Sequence, residues 1–222
     1  MSTENLKGTW ALILGASSGF GAATAQALAR AGMHIVGVHL DRKAAMANVE
    51  QLVKAIQSSG VEAFFFNVNA ADPLKRQEIL DQVQPKLGGS VITVVMHSLA
   101  FGTLKPYLAS DPKEQLTKDQ MEMTLDVMAN SLVYWVQDLL SRKLIGKGSR
   151  VFAMTSSGGT RVWPTYGAVS AAKAALESHT RQLAMELAPY GATANCIRAG
   201  VTDTPALRKI PGNEQMMEFA RL

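Results

Sequence analysis

The 222-residue sequence predicts an α/β fold, a single doubly wound parallel sheet with helices on both faces. Three observations carry this. Six short β-rich runs alternate with longer helical patterns, a glycine-rich turn follows the first run, and no repeat, low-complexity segment or linker interrupts the series. Strands that alternate with helices require right-handed crossovers and a sheet covered on both sides.

Taken in order, "WALILG" (10–15) reads as a buried strand and "AATAQALARAG" (22–32) as a small-residue helix closed by Gly32. "HIVGVHL" (34–40) is the second strand, followed by a helix over about 43–59 that Gly60 ends. "EAFFFNV" (62–68) is the third strand and 73–87 a helix. "VITVVMHS" (91–98) is the fourth strand, with a long helical stretch over about 117–144 behind it. "SRVFAMTS" (149–156), a helix over 165–188 and "ATANCI" (192–197) complete the series. The polar, helix-prone "PALRKIPGNEQMMEFARL" comes last. A sheet of this kind usually gains a further helix and strand, so the expectation is an incomplete chain or an end that orders only with a ligand or partner.

Composition narrows the function classes. Hydrophobic residues at 47% and charged residues at 18% fit a soluble protein with one substantial core, a single domain over 1–222. No apolar run reaches membrane-spanning length, and the N-terminus lacks the pattern of a secretory signal, so a cytoplasmic location with no membrane partner is expected. The single cysteine, Cys196, fits a reducing compartment and, in the apolar run "ATANCIRAG", is expected in the core. A net charge of +4 without clustering gives no argument for nucleic acid. No metal site is expected.

"GASSGFG" places Gly15, Gly19 and Gly21 between the first strand and first helix. Glycine there allows a tight turn and lets backbone N–H groups approach a pyrophosphate at a helix N-terminus. The spacing departs from G-x-G-x-x-G. With "YGAVSAAK" (166–173) on a downstream helix and the turn "AGVTDTP" (199–205), the loop resembles the short-chain dehydrogenase/reductase superfamily over about residues 8–210. That resemblance implies a Rossmann-like fold and a nicotinamide dinucleotide. It places Gly15, Ser17, Ser18, Gly19, Phe20 and Gly21 in the phosphate loop, Asn67 and Val68 at the adenine, Ala100 along the adenosine ribose, and Ser98 among the cofactor-binding residues. Gly200, Val201, Thr202 and Thr204 fall at the nicotinamide carboxamide and neighbouring phosphates. The usual acidic position at the end of the second strand is His39, with Asp41 and Arg42 after it. The displaced acid and the basic pair Arg42-Lys43 favour NADPH over NADH, unless those bases merely begin a solvated helix.

Tyr166 and Lys173 lie seven residues apart. Seven helical steps bring the azimuth back to within about 20°, so Tyr166, Ser170 and Lys173 share one face, with Lys173 about 10 Å along the axis. A lysine side chain leaning back towards the N-terminus closes much of that gap. In isolation the pair reads as a packed tyrosine and a surface lysine; its place after the fifth strand makes both catalytic candidates, Lys173 also binding the nicotinamide ribose.

The superfamily's ketone reductases carry lysine four residues after the tyrosine and serine thirteen before it. Those positions are Ser170 and Ala153 here. The seven-residue spacing, "HSLA" (97–100), Asp126 in place of the usual helix asparagine and Ala199-Gly200 are instead similar to enoyl-acyl-carrier-protein reductases. Ser156 stands where many of those enzymes have a second tyrosine, which matches a subtype. The resemblance implies reduction of a trans-2-enoyl thioester on acyl carrier protein or CoA in fatty acid synthesis, with Ser156, Tyr166 and Phe101 at the substrate. It also implies a homotetramer or homodimer. Two alternatives stand beside it: a ketone or secondary-alcohol oxidoreductase with an atypical site, and a nucleotide-binding relative without catalysis. Residues 205–222, with Met216, Met217 and Phe219, read as a lid over the acyl chain or as a core-facing helical stripe.

Overall fold

The computed structural model describes residues 6–220. Six parallel strands form one sheet in the order β3-β2-β1-β4-β5-β6. They are β1 (Trp10–Leu14), β2 (His34–His39), β3 (Ala63–Asn67), β4 (Ile92–His97), β5 (Arg150–Ser156) and β6 (Thr193–Ala199). The helices are α1 (Gly19–Arg30), α2 (Met46–Gln57), α3 (Pro73–Val83), α4 (Lys118–Leu125), α5 (Ser131–Ser141), α6 (Gly167–Leu187) and α7 (Asn213–Phe219).

Period-two alternation explains how one sheet serves two cores. On β1, Leu12 and Leu14 enter a cluster with Val36, Trp135, Leu139, Leu176 and Leu183. Ala11 and Ile13 turn the other way, to Ala25, Ala29, Ile56, Met96 and Met154. Every residue of β1 is buried, as a central strand covered on both sides requires. The apolar stripes at 132–140 and 175–187 therefore largely face the sheet: Leu132, Trp135, Val136, Leu139, Leu176 and Leu183 are buried, while Tyr134 and Met185 remain exposed.

Polar contacts lock α3 to α5. Arg76 Nε donates to Asp138 Oδ2 at 2.5 Å, its guanidinium lies 5.7 Å from the Tyr134 ring centroid, and Arg142 bonds Asp81 and Gln77. Trp135 Nε1 donates to the Ala70 carbonyl at 2.8 Å, fixing the loop after β3.

The expected long helix over 117–144 is interrupted. A capping box of Thr117 and Gln120 starts α4, and a π-helical turn over Asp126–Asn130 separates it from α5. Cys196 corrects the sequence reading: it is exposed, because β6 is the outermost strand and most of its residues are uncovered.

Candidate active site

Strand order reverses between β1 and β4, so the chain leaves their carboxyl ends in opposite directions and opens a cleft there. Gly15 and Gly21 set the loop at its base. Gly15 has φ +88°, and its N–H donates to the Val38 carbonyl at 2.8 Å. A Cβ on Gly15 would lie 2.5 Å from the Ser98 carbonyl oxygen, and one on Gly21 would overlap the Gly15 carbonyl. No side chain caps the N-terminus of α1 and no acidic residue occupies its first turn. These are the features an anionic phosphate needs: unclaimed N–H groups, a positive helix end and backbone close enough to touch. The residues present therefore fit a dinucleotide.

Two cavities join along the cleft, sharing Phe20, Ser98, Leu99, Ala100, Thr204 and Lys209. The smaller, about 190 Å³, takes in Gly15, Ser17, Ser18, Gly19, His39, Asp41, Val68, Asn69 and Phe101. The larger, about 550 Å³, takes in Ser156, Tyr166, Lys173, Gly200, Val201 and Thr202. Most of the expected site residues thus converge on one cleft.

Four are placed differently. Gly21 lies behind the loop and makes room for it. Asn67 does not line the cavity: its amide accepts from Asp41 N at 2.9 Å and donates to Asp41 O at 3.0 Å, and Asn69 lines the wall instead. Arg42 is outside the lining, whereas Asp41 is on it and binds His39 Nδ1 through Oδ2 at 2.9 Å. Phe101 lines the smaller cavity rather than the one around Tyr166.

Tyr166 occupies the N-cap position of α6 without a side-chain cap, and Lys173 sits two turns on, buried, with Nζ donating to the Met154 carbonyl at 2.7 Å. Burial raises the Tyr166 pKa, and the Ser156 hydroxyl beside it works the other way. Ser156 Oγ accepts from Gly158 N at 3.2 Å, and a Cβ on Gly158 would meet the Tyr166 ring at 2.5 Å, so Gly158 is what lets serine and tyrosine approach. Thr165, immediately before Tyr166, has φ +62°, an uncommon conformation for a β-branched residue, and its hydroxyl is buried without a partner among the described residues. Thr165→Gly should raise stability by about 1 kcal/mol, as relief of strain and of the stranded hydroxyl outweighs the added chain entropy. A denaturant midpoint that rises at constant slope is the measurement.

Burial pulls Lys173 down to about 8, with Cys196 and Glu177 opposing it. The unfolded chain titrates near 10.5, so between about pH 8 and 10.5 it binds more protons than the folded one and stability rises with pH. The gain is on the order of 3 kcal/mol. Lys173→Met should remove that slope in denaturation series across this window.

The walls also contain residues that sequence reasoning passed over. Met128, not Asp126, lines the cavity, with Leu99, Leu104, Met154, Trp163 and Val169. Gly102 signals the tightness of this wall, since a Cβ there would meet Thr124, Val169 and Met128 within 2.9 Å. Ala153 is fully buried in β5 and does not line the cleft. From the C-terminal stretch, Leu207, Ile210, Met216 and Phe219 reach the larger cavity, and Trp163 Nε1 donates to Pro211 O at 2.8 Å. Arg208 pairs with Asp203, leaving Lys209 on the lining. Among the described residues no group of His, Cys, Asp and Glu is placed to hold a metal, and no helix is long and apolar enough to cross a membrane.

The family model described as enoyl-(acyl carrier protein) reductase matches residues 15–221. A glycine betaine reductase of Emericella nidulans is 32% identical over 91% of this chain, which spans 15% of that protein. A 1-cyclohexenylcarbonyl-CoA reductase of Streptomyces collinus is 28% identical over 88% of this chain, which spans 65% of it. A short-chain dehydrogenase from Burkholderia cenocepacia, solved in complex with NADP, superposes with a TM-score of 0.75 at 28% identity, over 90% of this chain and 77% of that one.

Proposed function

From a chain that belongs to the short-chain dehydrogenase/reductase superfamily, in the family described as enoyl-(acyl carrier protein) reductase, we propose a reductase of trans-2-enoyl thioesters. The observation that carries the reading is the pairing of Tyr166 with a buried Lys173 seven residues on, both on one apolar cavity, while Ala153 offers no hydroxyl. The Streptomyces relative is named for a conjugated thioester, which supports the same substrate class.

The loop at Gly15, Ser17, Ser18, Gly19 and Phe20 would hold the dinucleotide phosphates, with His39, Asp41 and Val68 at the adenosine end. Ser98 and Ala100 would lie along it, and Gly200, Thr202 and Thr204 at the nicotinamide end. A reduced nicotinamide bound there supplies the hydride that the substrate β-carbon accepts. Tyr166 donates a hydrogen bond to the thioester oxygen, where negative charge develops, and is the candidate proton donor. Its raised pKa keeps the hydroxyl protonated at neutral pH. Lys173 adds positive potential beneath it. Met128, Met154, Val169 and Leu104 exclude water from an acyl chain, and residues 205–220 close over it as a lid. Lys209 and Arg161 suit the acidic surface or phosphate of a carrier protein or CoA.

NADPH is the proposed dinucleotide, from the bases after Asp41. NADH is the second choice, favoured by Asp41 rather than Arg42 on the cavity wall. Carbonyl reduction is the second reading of the chemistry, favoured by the Ser156 hydroxyl beside Tyr166. Assembly as a dimer or tetramer in the cytoplasm completes the proposal. The test follows reduced-nicotinamide absorbance with crotonyl- and longer enoyl-CoA against a β-ketoacyl thioester, with NADPH and NADH in parallel. Enoyl turnover supports the reading; turnover of the ketoacyl substrate alone moves the chain to the ketone reductases, and cofactor binding without turnover of either makes it a non-catalytic relative.

A further inference from the structure

His97 ends β4 and is fully buried, yet it lies on neither cavity wall. Its Nε2 is 2.9 Å from Ser131 Oγ. The Ser131 hydroxyl has one proton, and it is donated to the Val127 carbonyl at 2.8 Å. Ser131 Oγ can then only accept from the ring, so Nε2 carries the imidazole hydrogen and Nδ1 presents a bare lone pair. That Nδ1 has no partner among the described residues, a state that is unfavourable for a buried acceptor.

Lys173 has the complementary deficit. Its ammonium has three N–H groups and only one partner among the described residues, the Met154 carbonyl. His97 pairs with Ala153 in the sheet, next to the Met154 carbonyl that holds Nζ, and burial together with the nearby ammonium charge holds the imidazole pKa down to about 3. His97 is therefore a neutral acceptor at any working pH.

We propose that His97 is a positioning residue for Lys173, with its Nδ1 lone pair accepting from the Lys173 ammonium through one enclosed water. The π-helical turn serves this arrangement by presenting the Val127 carbonyl that fixes Ser131 and, through it, the imidazole tautomer. The other titratable groups acting on Lys173 are Glu177 on its own helix and Cys196 on β6. An acceptor at His97 favours the charged form of Lys173 and so opposes the burial that depresses it. The inference rests on the reading of Lys173 as the cofactor-facing cation. Its readouts need no substrate, so a failure to reduce enoyl thioesters leaves it standing.

Two substitutions separate the two ring nitrogens. In His97→Asn the amide falls near the place of Nδ1 and loses Ser131; in His97→Gln it reaches the place of Nε2 and leaves Nδ1 without a counterpart. The Lys173 titration is followed by the 13Cε shift in lysine-labelled protein, assigned with Lys173→Met, and NADPH binding by fluorescence. His97→Asn should keep the wild-type midpoint and affinity. His97→Gln should lower the midpoint by about one unit and weaken NADPH about threefold near pH 7.5, the ratio of charged fractions. The reverse order, no change in either variant, or an equal fall in both overturns the proposal. Should either variant fail to fold, the imidazole 15N shifts of the wild-type protein decide. A hydrogen-bonded, unprotonated Nδ1 supports the assignment, and a protonated or unbonded Nδ1 ends it.

Discussion

Tyr166→Phe should lower the turnover of enoyl thioesters by about 10²- to 10⁴-fold while dinucleotide affinity stays within about twofold of wild type. The two halves of that expectation have separate structural sources. The ring of Tyr166 is seated against Gly158, where a Cβ would stand only 2.5 Å from it, and phenylalanine preserves that seat and the start of α6. The phosphate loop and the wall at Val68 and Asn69 lie on other elements, and Lys173, on the same helix, keeps its anchor to Met154, so binding is left intact. Only the hydroxyl goes, and with it the donor proposed for the oxygen where charge would accumulate. Because burial raises the tyrosine pKa, the wild-type donor stays protonated through neutrality, and the rate should show no loss from this group until alkaline pH. Single-turnover decay of reduced-nicotinamide absorbance, beside a fluorescence titration of the dinucleotide, separates the two quantities. A variant that keeps the wild-type rate would remove Tyr166 from the chemistry.

The fold was legible because its cause is local and repeated. Each strand announces itself by a short apolar run, each helix by its periodicity, and Gly32 and Gly60 mark helix ends with positive φ. The loop and the Tyr166–Lys173 pair were legible for a related reason, since both depend on spacing within one element or one turn. The features that stayed hidden depend on neighbours remote in sequence. Cys196 sits in a run that reads as core, but burial of a strand is decided by its neighbours in the sheet, and β6 is the last strand of the six. Asp126 was singled out on this helix by its resemblance alone, whereas Met128 lines the cavity. Both residues lie within the π-helical turn, whose wider winding departs from the roughly 100° step of a regular helix, and no local periodicity announces such a turn. Asn67 was displaced by competition: a side-chain amide within reach of the Asp41 backbone satisfies both its N–H and its C=O, and so becomes part of the frame. Asn69, two residues on, lines the cavity instead.

Gly21→Ala should be the most damaging single-methyl change in the loop, destabilising the fold by about 3 kcal/mol and removing most of the dinucleotide affinity. Helix propensity alone argues the other way, because alanine is favoured over glycine within a helix by about 1 kcal/mol. Space decides the sign. The added carbon would overlap the Gly15 carbonyl, and that peptide has nowhere to retreat. Gly15 N is tied to the Val38 carbonyl, Ala16 N to the same oxygen at 3.1 Å, and the Gly15 α-carbon faces the Ser98 backbone. Relief must come from moving α1 away from β1, which withdraws the helix N-terminus from the phosphates and opens the packing of Ala25 and Ala29 on the sheet. Gly60→Ala supplies the comparison. Gly60 follows the end of α2, has φ +78° and would have nothing within 4 Å of its Cβ, so its substitution reports backbone strain alone, about 1–2 kcal/mol with dinucleotide binding unchanged. Thermal midpoints and dinucleotide titrations of the two variants separate conformation from steric overlap. Equal losses of stability with binding retained in both would mean that the β1–α1 turn tolerates the methyl, and that its glycines serve conformation rather than close approach.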